Sequence, residues 1–329
     1  MIKDLTEGQK ALLLNICQLK KAGEYTQSWN EIGSRFGCTG EQVRCWYNKL
    51  QTSNGQLEGK YLKGKERILV MSDLHVPEHD EENILNTITK HKDISMLILG
   101  GDIIDCKSAS SFLDSGISVL DSELITAHEL VQKMKKILRP ECKIILVKGN
   151  HEHRVNTLFN KQAKQLGSAI VETEILYKLA NGFTVQNRHT NVRTIYPPIE
   201  NVLYCEDRTF VYGDLLVNHP NVFSKNPLQA IKTMYESVFK FKYPEVKVCL
   251  MGHTHQLGVC FRDNGVVLGE TGCMAFRHDY ANDDTRAYGP AQLGYMTFEM
   301  QDKKVLLDTL KVHSLGPCRE QYSKWKLEV

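Results

Sequence analysis

The sequence predicts an α/β body preceded by a small three-helix domain. Three observations carry that expectation. From residue 66 onward, short apolar runs alternate with helical stripes, and each run ends in Gly, Asp, Asn or His. Before residue 53 the apolar spacing is helical, and two capping boxes mark helix starts. Between them, Gln51 to Lys65 (QTSNGQLEGKYLKGK) has three glycines, three lysines and no apolar periodicity. The expected division is a helical domain over 1–52, a flexible basic linker over 53–65 and the body over 66–329.

Bulk composition narrows the classes. A chain of 329 residues with 42% hydrophobic and 24% charged residues can bury a sizeable core. A net charge of +2 excludes a generic polyanion binder, but the charge is uneven. Residues 1–65 hold ten Lys/Arg against six Asp/Glu, a surplus of +4 on a body of −2. That asymmetry hints at nucleic acid. Ten cysteines without a CxxC pair, some in apolar runs such as Cys249 and Cys260, read as buried thiols of a reducing cytoplasm. Met1 to Ala22 lacks the pattern of a signal peptide, and no run of about 18 apolar residues suggests a membrane span.

In the N-terminal domain, Leu5, Leu12, Ile16 and Leu19 keep helical spacing, closed by Gly23. Ser28-Trp29-Asn30-Glu31 is a capping box for a second helix with Trp29, Ile32 and Phe36 on one face. Gly37-Cys38 makes the turn. Thr39-Gly40-Glu41-Gln42 caps a third helix, with Val43, Trp46, Tyr47 and Leu50 as its stripe. Three short helices with a tight turn before the last resemble a helix-turn-helix domain. The opposite face of the third helix carries Arg44 and Asn48, edged by Gln42 and Lys49, and these are the candidate DNA contacts. The competing reading is a helical protein-interaction domain, for a protein partner or a second copy, whose basic face is merely solvated.

The body opens with the apolar run Arg67–Met71, which leads into Asp73-Leu74-His75. On an extended segment residues two apart point the same way, which suits two ligands to one metal. Asp80 could cap a helix carrying Ile84, Leu85 and Ile88. The run Ile94–Leu99 leads into Gly100-Gly101-Asp102 and Asp105. A helix over Val119–Leu138 and a strand over Lys143–Val147 lead into Gly149-Asn150-His151-Glu152-His153-Arg154. Strands at Phe210–Tyr212 and Leu215–Val217 end in His219. A helix over Leu228–Phe239 precedes a strand over Val246–Met251, which ends in Gly252-His253-Thr254-His255. Hairpins follow at Val259–Phe261 with Val266–Leu268, and at Tyr295–Glu299 with Val305–Leu310. In open α/β sheets, chemistry collects at such strand ends.

Taken singly, each polar piece is commonplace. In order, Asp-x-His, Gly-Asp-x-x-Asp, Gly-Asn-His-Glu, a lone His and Gly-His-x-His resemble the calcineurin-like metallophosphoesterases over residues 66–315. The resemblance implies a four-layer α/β/β/α sandwich with two metals at the strand ends. It assigns Asp73, His75 and His255 to one ion, Asn150, His219 and His253 to the other, and Asp102 to both. It makes His151 the acid for the leaving-group oxygen, Asp105 the group that orients it, and Arg154 a phosphate contact. Two divalent ions about 3.5–4 Å apart can share a hydroxide that attacks phosphorus in line. The mixed N/O ligand set favours Mn²⁺, with Fe, Zn or Mg as the other candidates. Cys106-Lys107, where phosphoprotein phosphatases of the superfamily carry Arg, argues against close kinship with them.

The functional expectation is a two-metal, DNA-directed phosphodiesterase or nuclease in the cytoplasm. Its helical domain would hold it to duplex DNA, a pairing that looks like a phage or bacterial DNA-processing protein. The alternatives are a phosphatase or phosphodiesterase of nucleotides, cyclic nucleotides or phosphoproteins, and a DNA-binding regulator with a scaffold body. Val155–Arg208 and Phe276–Tyr288 are the least informative stretches, read either as cleft-shaping insertions or as solvated excursions.

Overall fold

The computed structural model describes residues 13, 16–17, 20, 27–44, 65–109, 120–162, 174–186, 190–262, 264–276 and 291–317, with backbone alone at 159–162 and 317. The chain divides into two compact units, Met1–Tyr61 and Leu62–Val329, a boundary that falls inside the expected linker.

In the first unit, α1 (Trp29–Arg35) begins at a complete capping box. The Ser28 side chain accepts the Glu31 N–H, and Glu31 reaches back to the Ser28 N–H. Gly37 takes a left-handed turn at φ 64°, and helix resumes at Gly40. The two helices cross closely. A Cβ at Gly40 would lie 2.3 Å from Asn30 Oδ1, so only glycine fits there. Ile16, Ile32 and Val43 share a small core with Leu13 and Cys17, two residues not among the Leu5, Leu12, Ile16 and Leu19 that keep helical spacing. Cys45, Trp46, Tyr47, Asn48, Lys49 and Leu50 lie outside the described residues, as do Leu5, Leu12, Leu19, Gly23 and 53–64.

The second unit is built on two sheets. The first has the order β13-β12-β1-β2-β3-β6. Its centre is parallel: β1 (Glu66–Met71), β2 (Met96–Leu99), β3 (Lys143–Val147) and β6 (Val202–Cys205). The long hairpin β12 (Gln292–Gln301) and β13 (Lys304–Pro317) adds antiparallel strands at one edge. It turns on Asp302 and Lys303, both at positive φ as a two-residue hairpin requires. The second sheet has the order β10-β11-β9-β8-β7, from β7 (Thr209–Tyr212), β8 (Leu215–Asn218), β9 (Val248–Met251), β10 (Leu257–Phe261) and β11 (Val267–Thr271). A separate small hairpin pairs β4 (Phe183–Gln186) with β5 (Arg193–Tyr196).

The strands lack polar–apolar alternation because both faces are covered. Leu69 and Met71 of β1 pack under α2 (Glu81–Lys90), α3 (Leu120–Ile137) and α5 (Ile175–Asn181), while Ile68 and Val70 are buried on the other face. Asp80 caps α2 by accepting the Asn83 N–H, as its position suggested. On the second sheet, Leu216, Cys249, Met251 and Leu268 pack under α6 (Gln229–Met234) and the π-turn that continues it over Tyr235–Phe239. The inner faces meet: a Cβ at Gly269 of β11 would touch Met296 of β12 at 3.3 Å. The layers therefore run helix, sheet, sheet, helix, the expected α/β/β/α order.

The described part of the stretch 155–208 departs from the reading as a solvated excursion. It holds most of α4 (Asn150–Gln162), α5 and β6. Ile175, Leu176, Leu179 and Ala180 enter the main core, and β6 extends the parallel sheet. These elements are structural scaffold rather than a solvated excursion. Replacing the fully buried Leu176 by Ala should cost about 2–5 kcal/mol in denaturant unfolding, the range for a core leucine. A loss within about 0.5 kcal/mol, typical of surface changes, would show that the segment is peripheral.

Candidate metal centre

The parallel strands of both sheets end at one rim, and the polar pieces follow those ends. Asp73 and His75 come after β1, Asp102 and Asp105 after β2, and Asn150 and His151 open α4 after β3. From the second sheet come His219 after β8 and His253 and His255 after β9. The loops after β1 and β2 prolong the ladder. The Asp73 N–H donates to Gly101 O, His75 N–H to Asp102 O and Asp105 N–H to Val76 O.

Asp73, His75, Asp102, His253 and His255 all have φ between 50° and 82°. These left-handed conformations are uncommon for non-glycine residues and concentrate at functional sites. They correct the picture of Asp73 and His75 as neighbours on an extended strand, because the backbone kinks at each of them. Two glycines permit the crowding. A Cβ at Gly149 would sit 2.1 Å from Asp102 Oδ1, and one at Gly101, where φ is 95°, would enter the His219 ring.

Two groups of donor atoms face each other. Asp73, His75 and His255 form one and Asp102, His219 and His253 the other, each with its donor atoms within 4.8 Å of one another. In the first, His75 Nε2 and His255 Nε2 are 3.2 Å apart, and Asp73 Oδ1 lies 3.2 Å from His255 Nε2. Two imidazole nitrogens converging beside a carboxylate suit a cation. In the second, His219 Nε2 lies 3.1 Å from Asp102 Oδ2 and 3.1 Å from Asn150 Oδ1. Asp102 Oδ2 also faces the first group, 4.0 Å from His75 Nε2.

The tautomers fit metal binding as well. His219 Nδ1–H donates to Gly100 O at 2.8 Å and His75 Nδ1–H to Asp105 Oδ1 at 2.9 Å, which leaves each Nε2 aimed inward. The donor set of carboxylates, imidazoles and an amide oxygen fits divalent ions of the Mn, Fe or Zn kind.

Electrostatics keep the carboxylates of this set ionised. Burial pushes the carboxyls of Asp73 and Asp102 up, but nearby histidines more than offset it. The Asp73 pKa falls to about 2 under the His219 and His255 charges, and Asp102 is held well below the usual range by His151 and His219. For His219, burial opposes the proton, yet the Asp102 and Asp73 charges and its hydrogen bonds lift the pKa from 6.5 to about 9. His253 falls to about 4 through burial and the His219 charge.

His151 sits between the groups. Its Nδ1 lies 2.7 Å from Asp105 Oδ1 and its Nε2 3.6 Å from Asp102 Oδ2. Burial lowers its pKa, but the Asp102 charge and the Asp105 hydrogen bond raise it further. Arg154 places Nη1 3.0 Å from His151 Nδ1 and Nη2 2.8 Å from Nε2. The in-plane directions of the two ring nitrogens diverge, so this pairing lays the guanidinium across the ring face.

Asp105 does more than its expected role, because one oxygen serves both His75 and His151. Two further residues escaped the motif reading. Glu152, 1% exposed, accepts N–H groups from Ile103, Ile104 and Gly149 and so clamps the Asp102 loop. Ser72 donates to Asp73 Oδ2 and contacts Thr271 Oγ1 at 2.6 Å. Glu152 stands in a quoted motif, but two of its three partners lie 48 and 49 residues away. His79 stays outside the cluster, bonded to Pro77 O, and His153 is exposed. In the first unit, Arg44 is exposed, while the Gln42 amide oxygen accepts the Thr39 N–H and completes the second capping box.

A family model described as calcineurin-like phosphoesterase matches residues 66–257, more than half of the chain. The chain belongs to that family. Among solved structures, a single mutant of Vps29 from Entamoeba histolytica is similar to this phosphoesterase at 13% identity, covering 76% of this chain and 98% of that one, with a TM-score of 0.34. A predicted phosphoesterase from Streptococcus pneumoniae is similar at 12% identity, with coverage of 76% and 98% and a TM-score of 0.29. A novel archaeal phosphodiesterase is similar at 12% identity, with coverage of 76% and 99% and a TM-score of 0.31. No curated protein matches the chain.

The His219 proton makes metal binding pH-dependent. In the metal-free phosphoesterase that proton stabilises the native state fully below pH 6.5, and the contribution is lost as pH rises through about 9. A divalent ion must displace it, so affinity should rise across the same window with proton release at neutral pH. Calorimetric Mn²⁺ titrations in buffers of different ionisation enthalpy would show this. A binding enthalpy independent of the buffer at neutral pH would contradict it.

Proposed function

We propose that this phosphoesterase is a two-metal phosphodiesterase that hydrolyses DNA, in the cytoplasm, with Mn²⁺ as the preferred ion. The observation that carries the reading is two facing groups of carboxylate and imidazole donors with His151 between them, in a chain whose N-terminal sequence resembles a helix-turn-helix domain. Asp73, His75 and His255 would hold one ion. Asn150, His219 and His253 would hold the other, with Asp102 shared. Bound ions supply Lewis-acid activation of water and of the phosphoryl oxygens.

The chain's own groups do the rest. His151 Nδ1–H donates to Asp105, so the ring is fixed with Nε2 toward the metal centre, where its proton can pass to the leaving oxygen. Burial raises the Asp105 carboxyl pKa, but hydrogen bonds from His151 and His75 bring it far below the usual range, so it stays an acceptor. Arg154 spans the His151 face and can meet a phosphoryl oxygen there. Arg44, with Gln42, Asn48 and Lys49, would meet DNA in the major groove. The tether would raise the local concentration of DNA at the centre. Eight described cysteines, all free thiols, support a reducing compartment. No helix among the described residues is long and apolar enough to cross a membrane.

The testing experiment is a hydrolysis panel with Mn²⁺: single- and double-stranded DNA, RNA, a cyclic nucleotide and a generic phosphodiester. DNA should be the best substrate. Removing residues 1–60 should raise KM on duplex DNA while leaving turnover of the generic diester in place. Activity on DNA unaffected by that truncation would favour a nucleotide-directed enzyme. His151→Gln should lower kcat by about 10²–10⁴ with metal content retained. Full activity in that variant would remove His151 from the proton-donor role.

A further inference from the structure

Arg208 stands one residue beyond the Thr209–Asn218 pair that ends the β7–β8 ladder. Its carbonyl accepts the His219 N–H at 2.8 Å and an Asn218 side-chain N–H at 2.9 Å. Arg208 and His219 are therefore opposite each other in an antiparallel pair. Such residues have Cα atoms roughly 5.5 Å apart and send their side chains to the same face of the sheet. The His219 side chain goes to the metal centre. Arg208 accompanies it, near enough for the Asp102 and Glu152 charges to act on its guanidinium.

Arg208 is half-buried, yet among the described residues no carboxylate pairs with it. Its guanidinium bonds instead to a neutral, exposed amide, with Nη1 2.7 Å from Asn221 Oδ1. Its surroundings are basic. Cys205 at the end of β6 pairs in register with Val147 at the end of β3, so Lys148 and Arg208 follow the same sheet end. The charges of both reach His153 on α4. Lys148 is already committed to Glu174, at 2.5 Å. Arg208 is the cation of that edge left to meet an incoming anion, beside the Asn150–His219 half of the centre.

We infer that Arg208 binds a second phosphate of the substrate, the neighbour of the scissile phosphate along a nucleic-acid strand. The inference rests on the nuclease reading and deepens it. A polynucleotide presents phosphates at regular close spacing, and a guanidinium meets a phosphate with two parallel charge-assisted hydrogen bonds. A mononucleotide ester or a generic diester has no second phosphate to offer.

The test compares wild type, Arg208→Gln and Arg208→Lys, all loaded with Mn²⁺ and checked for metal content. The substrates are a short single-stranded oligonucleotide and bis(p-nitrophenyl) phosphate. Both meet the same scissile site, so the ratio of their kcat/KM values isolates the second phosphate. In Arg208→Gln the ratio should fall about tenfold, and the slope of log KM against log salt on the oligonucleotide should drop by about 0.7. Arg208→Lys should restore the slope, since it restores the charge. An unchanged ratio in Arg208→Gln, with a wild type active on the oligonucleotide, overturns the role of Arg208 alone. A wild type that cleaves the diester and leaves the oligonucleotide intact overturns the nucleic-acid reading and this inference together.

Discussion

The site depends on one buried charge. Asp102 is 1% exposed, and an ionised carboxylate taken out of water costs several kcal/mol unless cations and N–H groups meet it. Three imidazoles converge on its Oδ2, from His219 at 3.1 Å, His151 at 3.6 Å and His75 at 4.0 Å, while its Oδ1 accepts the His151 N–H at 2.9 Å. Those histidines come from both sheets. The requirement to compensate Asp102 therefore ties the rim of one sheet to the rim of the other. It also explains the glycines around it, because no Cβ fits between Asp102 and Gly149.

The same arrangement is poor without cations. Asp73, Asp102 and Glu152 are all essentially buried within one rim, and burial together with the Asp102 charge raises the Glu152 pKa. His75 and His255 turn nitrogen toward nitrogen. Five residues there hold left-handed backbone, which persists only where surrounding structure over-determines it. Glu152 supplies part of that restraint by gathering three backbone N–H groups, and the prolonged β1–β2 ladder supplies more. A rim so loaded with acceptors and strain is pre-organised for divalent ions rather than for its own stability.

Much of this was legible in the sequence, for identifiable reasons. Strands buried on both faces leave unbroken apolar runs, so β1 and β3 stood out, and their polar ends marked residues that gather at the rim. Capping boxes are local, so the starts of α1 and of the helix after Gly37 could be read directly. What escaped was non-local or short. β6 is four residues, VLYC, with one of them buried, and nothing in it announces a parallel edge strand. α5 is seven residues and joins the core through contacts no local pattern reveals. The double duty of Asp105 depends on two histidines, His75 and His151, meeting one carboxylate oxygen from distant points of the chain. Arg208 carries no motif at all, and its interest comes only from lying opposite His219.

The central claim is that Asp102 serves both halves of the metal centre. The most direct measurement is a Mn²⁺ titration of the metal-free protein, read for stoichiometry and affinity, in wild type, Asp102→Asn, His75→Ala and His219→Ala. Wild type should take up two ions. Asp102→Asn should weaken both together, whereas each histidine variant should mainly weaken one. An Asp102→Asn protein that keeps either ion at wild-type affinity would contradict the bridging role.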